Sequence, residues 1–341
     1  MPRMRSWTPM IESFSIPKSI SVIIPAFNVA GCISTAIHSA LSQSLAPVEI
    51  IVVDDASTDD TAAVVADIAR DHPSVRLIQM PLNRGAATAR NVGLESCSSE
   101  WIAILDSDDR YLPHRLEYLV AAAEETQLDL AADNFYNYDV VANKIVGIAI
   151  PPEIIGACLT LDRYSFVRHC MTNMAGAVDL GLLKPILRRS FVEAVRLRYP
   201  EDIRHGEDFI FYLTALVHRA KFAVFPEAHY IYTQRLGSVS GKHSSLTRTK
   251  VDLSEVEAES RRIAASQLMD NDPQLAQLLN LRADRMLAAK KFFAFRTAVT
   301  EGHWIQAARL VFADKEVRRC TLQALEYKFK KRWRNLLHPG R

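Results

Sequence analysis

The chain has 341 residues, 49% of them hydrophobic and 23% charged, with a formal net charge of +2. That balance belongs to a folded globular protein and excludes a wholly disordered chain, and the near-neutral total gives no reason to expect nucleic-acid binding by the whole molecule. The length suits one large α/β domain with an appendage, or two domains, and either could bury an ample core.

Charge is unevenly spread. Lys315 to Arg341 holds nine Lys/Arg and two Asp/Glu, so +7, which leaves −5 for residues 1–314. A basic tail on such a body points to an anionic partner, a membrane or a nucleic acid. The five cysteines, Cys32, Cys97, Cys158, Cys170 and Cys320, are odd in number and scattered, with no CxxC pair. They argue against a disulfide framework or a zinc site and for a reducing cytoplasm. Residues 1–18 have no continuous apolar run, so they read as a flexible segment and not as a secretory signal. The best apolar stretch, Ile145 to Ile150, is closed by Lys144 and Pro151-Pro152. It falls far short of the ~20 residues a spanning helix needs, so any membrane association is expected to be peripheral.

The first 130 residues repeat one pattern, in which a short β-branched run ends in a polar cluster that opens a helix. Ser21-Val-Ile-Ile24 leads to Pro25-Ala-Phe-Asn28 and a helix through Ile33, Ile37 and Leu41. Ile50-Ile-Val-Val53 leads to Asp54-Asp55-Ala-Ser-Thr-Asp59 and a helix through Val64, Val65 and Ile68. Val75-Arg-Leu-Ile78 leads to Asn83-Arg-Gly85 and a helix to about Leu94, and Trp101-Ile-Ala-Ile-Leu105 leads to Asp106-Ser-Asp-Asp109, with Pro113 at a helix start. Strands this uniformly apolar are buried on both faces, which predicts a doubly wound α/β domain with a mostly parallel sheet and helices on both faces.

Further on, the pattern predicts strands at Leu128 to Ala132 and Leu182 to Leu187, and a strand or hairpin over Val140 to Ile150. It predicts a helix at Glu207 to His218 and two more strands, Lys221 to Phe225 and Tyr230 to Gln234. From about Leu246 the chain reads as helical. The expected division is 1–18, 19–240 and a C-terminal helical region 241–341 with a basic amphipathic tail.

Ligands of open parallel sheets bind beyond the carboxyl ends of the strands. All four polar clusters lie there, and carboxylates dominate them. Such a crevice takes a phosphorylated ligand when a divalent cation sits between carboxylate and phosphate. No GxGxxG follows the first strand, where Pro25 to Gly31 stands instead, and no GxxxxGK[ST] occurs. A nicotinamide or flavin enzyme and a P-loop nucleotidase are both disfavoured.

Ser21-Val-Ile-Ile-Pro-Ala-Phe-Asn28, Val52-Val-Asp-Asp-Ala-Ser57, Asn83-Arg-Gly85, Ala89-Arg-Asn-Val-Gly93, Leu105-Asp-Ser-Asp-Asp109 and Gly206-Glu-Asp208 follow one another in a fixed order. The ordered set resembles the family-2 inverting glycosyltransferases of GT-A fold, over about residues 19–240. Within that family the chain looks most like glucosyltransferases that extend succinoglycan-type exopolysaccharide on a lipid carrier. The resemblance implies that Asp106-Ser107-Asp108 is the DxD element, with Asp108 a direct ligand of Mg²⁺ or Mn²⁺. Asp106 would face the donor ribose or the water shell of the metal. Asp55 would hydrogen-bond uracil, Pro25 and Phe27 would shape the base pocket, and Arg90 would reach the uracil or the diphosphate. Asp208 would be the general base, with Glu207 its orienting neighbour. Arg235 and Ser238 to Ser240 would close over the diphosphate, and residues 171–177 fall where acceptor loops lie. Gln234-Arg-Leu-Gly-Ser238 departs from the QxxRW motif of processive members.

The implied reaction moves glucose from UDP-glucose, with inversion, to an undecaprenyl-diphosphate-linked oligosaccharide at the inner face of the cytoplasmic membrane. Tyr327, Phe329, Trp333, Leu336 and Leu337, interleaved with Lys328, Lys330, Lys331, Arg332 and Arg334, would contact an anionic bilayer; no nucleic-acid partner is expected. Other readings stay open. The aspartates double as helix caps and dipole complements, and the tail aromatics could pack on the domain. Another sugar in lipopolysaccharide or capsule assembly, a nucleotidyltransferase, or a receiver-like magnesium-binding module are the rival functions.

Overall fold

The computed structural model describes residues 18–171, 180–203, 205–234, 253–266, 272–315, 317–319 and 321–322. The expectations for the N-terminal segment, most of the acceptor loop, Arg235, Ser238 to Ser240 and the aromatic tail lie outside these residues. Among the described residues there are two compact units: 18–162 with 181–234, and 163–180 with the residues from 253 on.

In the first unit β1 (Ile20–Ala26), β2 (Glu49–Asp54), β3 (Val75–Gln79) and β4 (Trp101–Ile104) alternate with α1 (Ile33–Leu41), α2 (Thr61–Asp71) and α3 (Ala86–Ser96). Every residue of β1, β2 and β4 is buried, the consequence of their uninterrupted apolar sequence. The four strands lie in the order β3-β2-β1-β4, all parallel. Registers such as Ala26 opposite Asp54 and Ile23 opposite Ile104 bring the carboxyl ends of these strands to one edge. Helix α3 approaches β1 closely because Gly93 has no side chain: a Cβ there would meet Ile23 Cγ2 at 2.3 Å.

Next come β5 (Arg110–Tyr111), α4 (Arg115–Glu125), β6 (Leu130–Asp139), β7 (Lys144–Ile148), α5 (Pro152–Ile155) and β8 (Leu159–Leu161). The second unit takes α6 (Arg163–His169), after which the first unit resumes with β9 (Ile186–Arg188), α7 (Arg189–Ala194), α8 (Glu207–Val217) and β10 (Phe222–Gln234). Here the sheet departs from the mostly parallel expectation. β9 runs antiparallel between β4 and β6, β10 is parallel to β6, and β5, β7 and β8 are each added antiparallel. An apolar run encodes burial but not heading, and β9 comes back into the sheet after the chain has left the unit over residues 163–180.

The expected strand at Leu182 to Leu187 is a 3₁₀ turn, Leu180–Leu182, followed by the three-residue β9. The two strands expected after Lys221 are one, β10, whose register with β6 shifts between Phe225 and Tyr230. Pro226, which lacks the N–H a regular ladder needs, sits in that irregularity. The Val140 to Ile150 segment makes a hairpin of β6 and β7.

The second unit adds α9 (Leu253–Ala264), α10 (Pro273–Thr300) and α11 (Trp304–Ala313) to α6. Asp272 caps α10 by accepting from Leu275 N at 3.1 Å, with Pro273 at the first helical position. The same carboxylate accepts from Arg163 Nε at 2.6 Å and Tyr164 Oη at 3.0 Å, tying α6 to the start of α10.

Candidate active site

The turn after β2 is built by two adjacent aspartates with separate tasks. Asp54 accepts from Ser57 N at 3.2 Å and from the Ser57 hydroxyl, closing a local turn. Asp55 N donates to Ala26 O at 2.8 Å, and its carboxylate accepts from Arg84 N at 2.8 Å and Gly85 N at 2.7 Å. Gly85, at φ +92°, supplies the backbone conformation from which α3 starts. Asp55 therefore joins the ends of β1 and β2 to the turn that opens α3. Pro25 is buried in β1 opposite Val53, and Phe27, next to it, is 45% exposed at the strand ends.

Helix α3 carries the centre of the site. Arg90, buried, donates from Nη2 to Asp106 Oδ1 at 2.9 Å and from Nη1 to Glu207 Oε1 at 2.9 Å, with Asp208 Oδ1 at 3.8 Å. Lys184 Nζ donates to Asp208 Oδ2 at 2.7 Å and lies 3.3 Å from Asp106 Oδ2. Three carboxylates thus share two buried cations. Burial opposes the charge on Arg90, but Asp208, Asp106 and Glu207 together hold its pKa well above the usual range. Burial likewise opposes Lys184, and Asp106 and Asp208 raise it. Burial pushes the Asp106 carboxyl up, and Lys184 with Arg90 overrules this and brings it to about 2. The second oxygen of Asp208, Oδ1, is buried and has no hydrogen-bond partner among the described residues.

The neighbour of Arg90 on α3, Asn91, grips the segment that leads to α8. It accepts from Tyr199 N at 2.8 Å and donates to Tyr199 O at 2.9 Å. Gly206, left-handed at φ +88°, then turns the chain so that Glu207 and Asp208 fall in the first turn of α8. The expected pair on α8 and the expected Arg90 and Asp106 are brought together. A receiver-like module would leave Glu207 and Asp208 without a task, whereas here both face Arg90.

Asp109 is a latch. Tyr230 Oη donates to its Oδ2 at 2.6 Å and Thr233 N to its Oδ1 at 2.7 Å, pinning the loop after β4 to β10. Burial, with Asp108 and Asp106 nearby, pushes its carboxyl well above the ordinary range. Ser107 is buried and Asp108 half-buried in the same loop. Among the described residues no three His, Cys, Asp or Glu side chains are grouped to hold a metal by themselves.

Sequence reasoning missed Lys184 and the pair beneath it. Its one signal is a lone lysine in the apolar run Leu180-Gly-Leu-Leu-Lys-Pro-Ile-Leu187. Arg115, the first residue of α4 and fully buried, donates to both Asp133 oxygens and to the backbone carbonyl of Lys184. Its guanidinium lies over the rings of Tyr111 and Tyr230, 4.5 and 5.0 Å from their centroids.

The family model described as Glycosyl transferase family 2 matches residues 21–170. The succinoglycan biosynthesis protein ExoO of Rhizobium meliloti is 38% identical over 223 residues, 65% of this chain and 62% of ExoO. ExoU of the same organism, also a succinoglycan biosynthesis protein, is 31% identical over 266 residues, 76% of this chain and 73% of ExoU. The chain belongs to glycosyl transferase family 2. Its fold matches the crystal structure of S. aureus TarS 1-349 in complex with UDP-GlcNAc at a TM-score of 0.61, with 21% identity over 86% of this chain and 79% of that one. The sheet with its flanking helices is accordingly the GT-A fold. Within this family-2 chain, Asp55, Arg90, Asp106, Ser107, Asp108, Glu207 and Asp208 lie on the strand-end loops or on α3 and α8; Arg235 lies outside the described residues.

Proposed function

We propose that this family-2 glycosyltransferase is a metal-dependent, inverting transferase that moves glucose from UDP-glucose to a hydroxyl of a growing exopolysaccharide repeat. The observation that carries the reading is the state of Asp208. One of its oxygens is held by Lys184 at 2.7 Å, and the other is buried without a hydrogen-bond partner among the described residues. A carboxylate so placed is ready to accept a hydrogen bond from an incoming hydroxyl. As that oxygen attacks the anomeric carbon, its proton passes to Asp208, the bond from the anomeric carbon to the diphosphate oxygen breaks, and UDP leaves. A single displacement inverts the centre, so an α-linked donor gives a β-linked product. Lys184 and Arg90 fix Asp208 and Asp106 in place, and they hold the Asp106 carboxyl below its usual range. Arg235 is assigned to the departing diphosphate.

The donor set suits a divalent cation. By the DxD resemblance half-buried Asp108 would be the principal protein ligand, with Asp106, whose oxygens face Arg90 and Lys184, a second contact. Mg²⁺ and Mn²⁺ are commonly bound by one or two carboxylates, with substrate phosphate oxygens and water completing the shell. Bound there, the ion would supply positive charge to the leaving diphosphate.

A uridine donor is supported by the TarS crystal structures in complex with UDP and with UDP-GlcNAc. The exopolysaccharide setting is supported by the two succinoglycan biosynthesis proteins. The lipid-diphosphate carrier, and a position at the cytoplasmic face of the membrane, follow from the sequence resemblance. Calorimetric titration with UDP, with and without Mn²⁺, tests the donor site. Binding should require Mn²⁺ and weaken at least about tenfold in Asp108→Ala. No binding under either condition overturns the reading.

A further inference from the structure

Helix α11 of the second unit has an exposed apolar face that the transfer reaction does not use. In α11 the side chain of Ala307 is buried, whereas Trp304, Ile305 and Phe312 are 66%, 74% and 79% exposed. Trp304, Ala308 and Phe312 recur every four residues, so they fall on one side of the helix, and Ile305 lies beside them. Eight of the ten residues in Trp304–Ala313 are apolar, with Gln306 and Arg309 the exceptions. Such a helix is apolar on the side it packs and on the side it shows to solvent. Leu322, further along the chain, is also 67% exposed.

Cations lie beside this face. Arg309 is exposed on α11 itself, and Lys315, Arg318 and Arg319 are exposed immediately after it. Arg318 Nη1 donates to Phe312 O at 2.6 Å and to Val311 O at 3.2 Å, which places its guanidinium at the carboxyl end of α11. The sequence beyond residue 322 adds six Lys/Arg against one Glu.

We infer that α11 docks the protein on an anionic bilayer, with Trp304, Ile305 and Phe312 in the headgroup region and Arg309, Lys315, Arg318 and Arg319 facing acidic lipid. Charge decides between the possible occupants. A second copy of the chain, related by a two-fold axis, would bring these cations against their own equivalents. An acidic lipid surface complements them, and each cation near such a surface adds to the attraction. Length agrees: ten residues of helix span about 15 Å, half of a hydrocarbon core of about 30 Å, so α11 lies along the surface. No helix among the described residues is long and apolar enough to cross a membrane. An exposed tryptophan at the start of the helix is also the residue type enriched at that interface.

The test uses the full-length chain and needs no sugar donor, so its outcome is independent of the proposed reaction. The probes are phosphatidylcholine vesicles with and without phosphatidylglycerol. The wild type should co-sediment with the acidic vesicles, release as salt is raised, and show Trp fluorescence quenched by brominated acyl chains. The triple variant Trp304→Ser/Ile305→Ser/Phe312→Ser alters only exposed side chains and should keep the thermal midpoint of the wild type. It should bind acidic vesicles at least about tenfold more weakly. Unchanged vesicle binding by the folded triple variant overturns the inference and moves the contact to another part of the chain. A wild type that ignores vesicles but self-associates through the same three residues also overturns it.

Discussion

Asp208 and Asp106 are the same residue type, a few ångströms from the same two cations, yet their surroundings differ. Both Asp106 oxygens are held, one by Arg90 and one by Lys184, and its carboxyl stays at about 2. Asp208 has one buried oxygen without a hydrogen-bond partner among the described residues, 3.8 Å from Arg90 Nη1. The difference predicts different phenotypes. Asp208→Asn preserves size and removes the proton acceptor, so turnover should fall by about 10²- to 10⁴-fold while the donor KM stays within a small factor. Steady-state kinetics with a UDP-sugar panel checks this, and a variant with unchanged kcat would remove Asp208 from the reaction. Residues also show where sequence reading stops. Arg90, Asp106 and Asp208 were legible because they sit in an ordered series of motifs. Lys184 was not, because its partners lie 24 residues away on α8 and 78 residues away after β4, and a lone lysine in an apolar run carries no label for its partner.

Helix α3 does three jobs within four residues. Gly93 faces β1, Arg90 reaches the carboxylates, and Asn91 holds the backbone of Tyr199. The closeness of the packing is what aligns the other two. Gly93→Ala brings two opposed effects: a helix interior gains about 1 kcal/mol from alanine, but a Cβ 2.3 Å from the β-branched, fully buried Ile23 forces the helix away from the sheet. Overpacking typically costs about 1–3 kcal/mol, and a contact this close to a buried β-branched side chain should outweigh that gain, so the variant should be less stable. Urea denaturation measures it, and a stabilised variant would mean that α3 can shift freely on β1. Strand β10 shows the same dependence on context from the other side. The sequence reads as two strands broken near Pro226, and the structure carries one strand through a bulge there, since β6 supplies a continuous partner on one edge.

Across the whole first unit, the two ends of the sheet are specialised. The carboxyl ends of the strands gather the charged site, and the opposite end is closed by Glu49, at the start of β2. Its Oε1 accepts from Ser21 Oγ at 2.8 Å and Ser98 N at 2.9 Å, and Arg76 Nη1 donates to Oε2 at 3.0 Å, so one carboxylate links β1, β3 and the approach to β4. Burial pushes the Glu49 carboxyl up, but the bonds from Ser98 and Ser21, with Arg76, outweigh it and hold the pKa below the usual value. A lowered carboxyl stabilises the fold fully above its unfolded pKa of about 4.3, and that contribution fades as pH falls through the lower folded value. Glu49→Gln should therefore lower the thermal midpoint at neutral pH, with the gap from wild type narrowing as pH falls below the unfolded value of about 4.3. Midpoints recorded against pH test this; parallel curves would show that the Glu49 charge does not contribute. By itself the sequence determined the βα alternation, the gathering of its polar clusters at the carboxyl ends of parallel strands, and the family. These are set by local periodicity and by the geometry of right-handed parallel crossovers. Only the tertiary structure decided the heading of β9, the unbroken run of β10, the two cations shared by three carboxylates, and the apolar face left open on α11. Those depend on where residues as far apart as Arg90 and Glu207 meet, and a local pattern encodes burial without naming the partner.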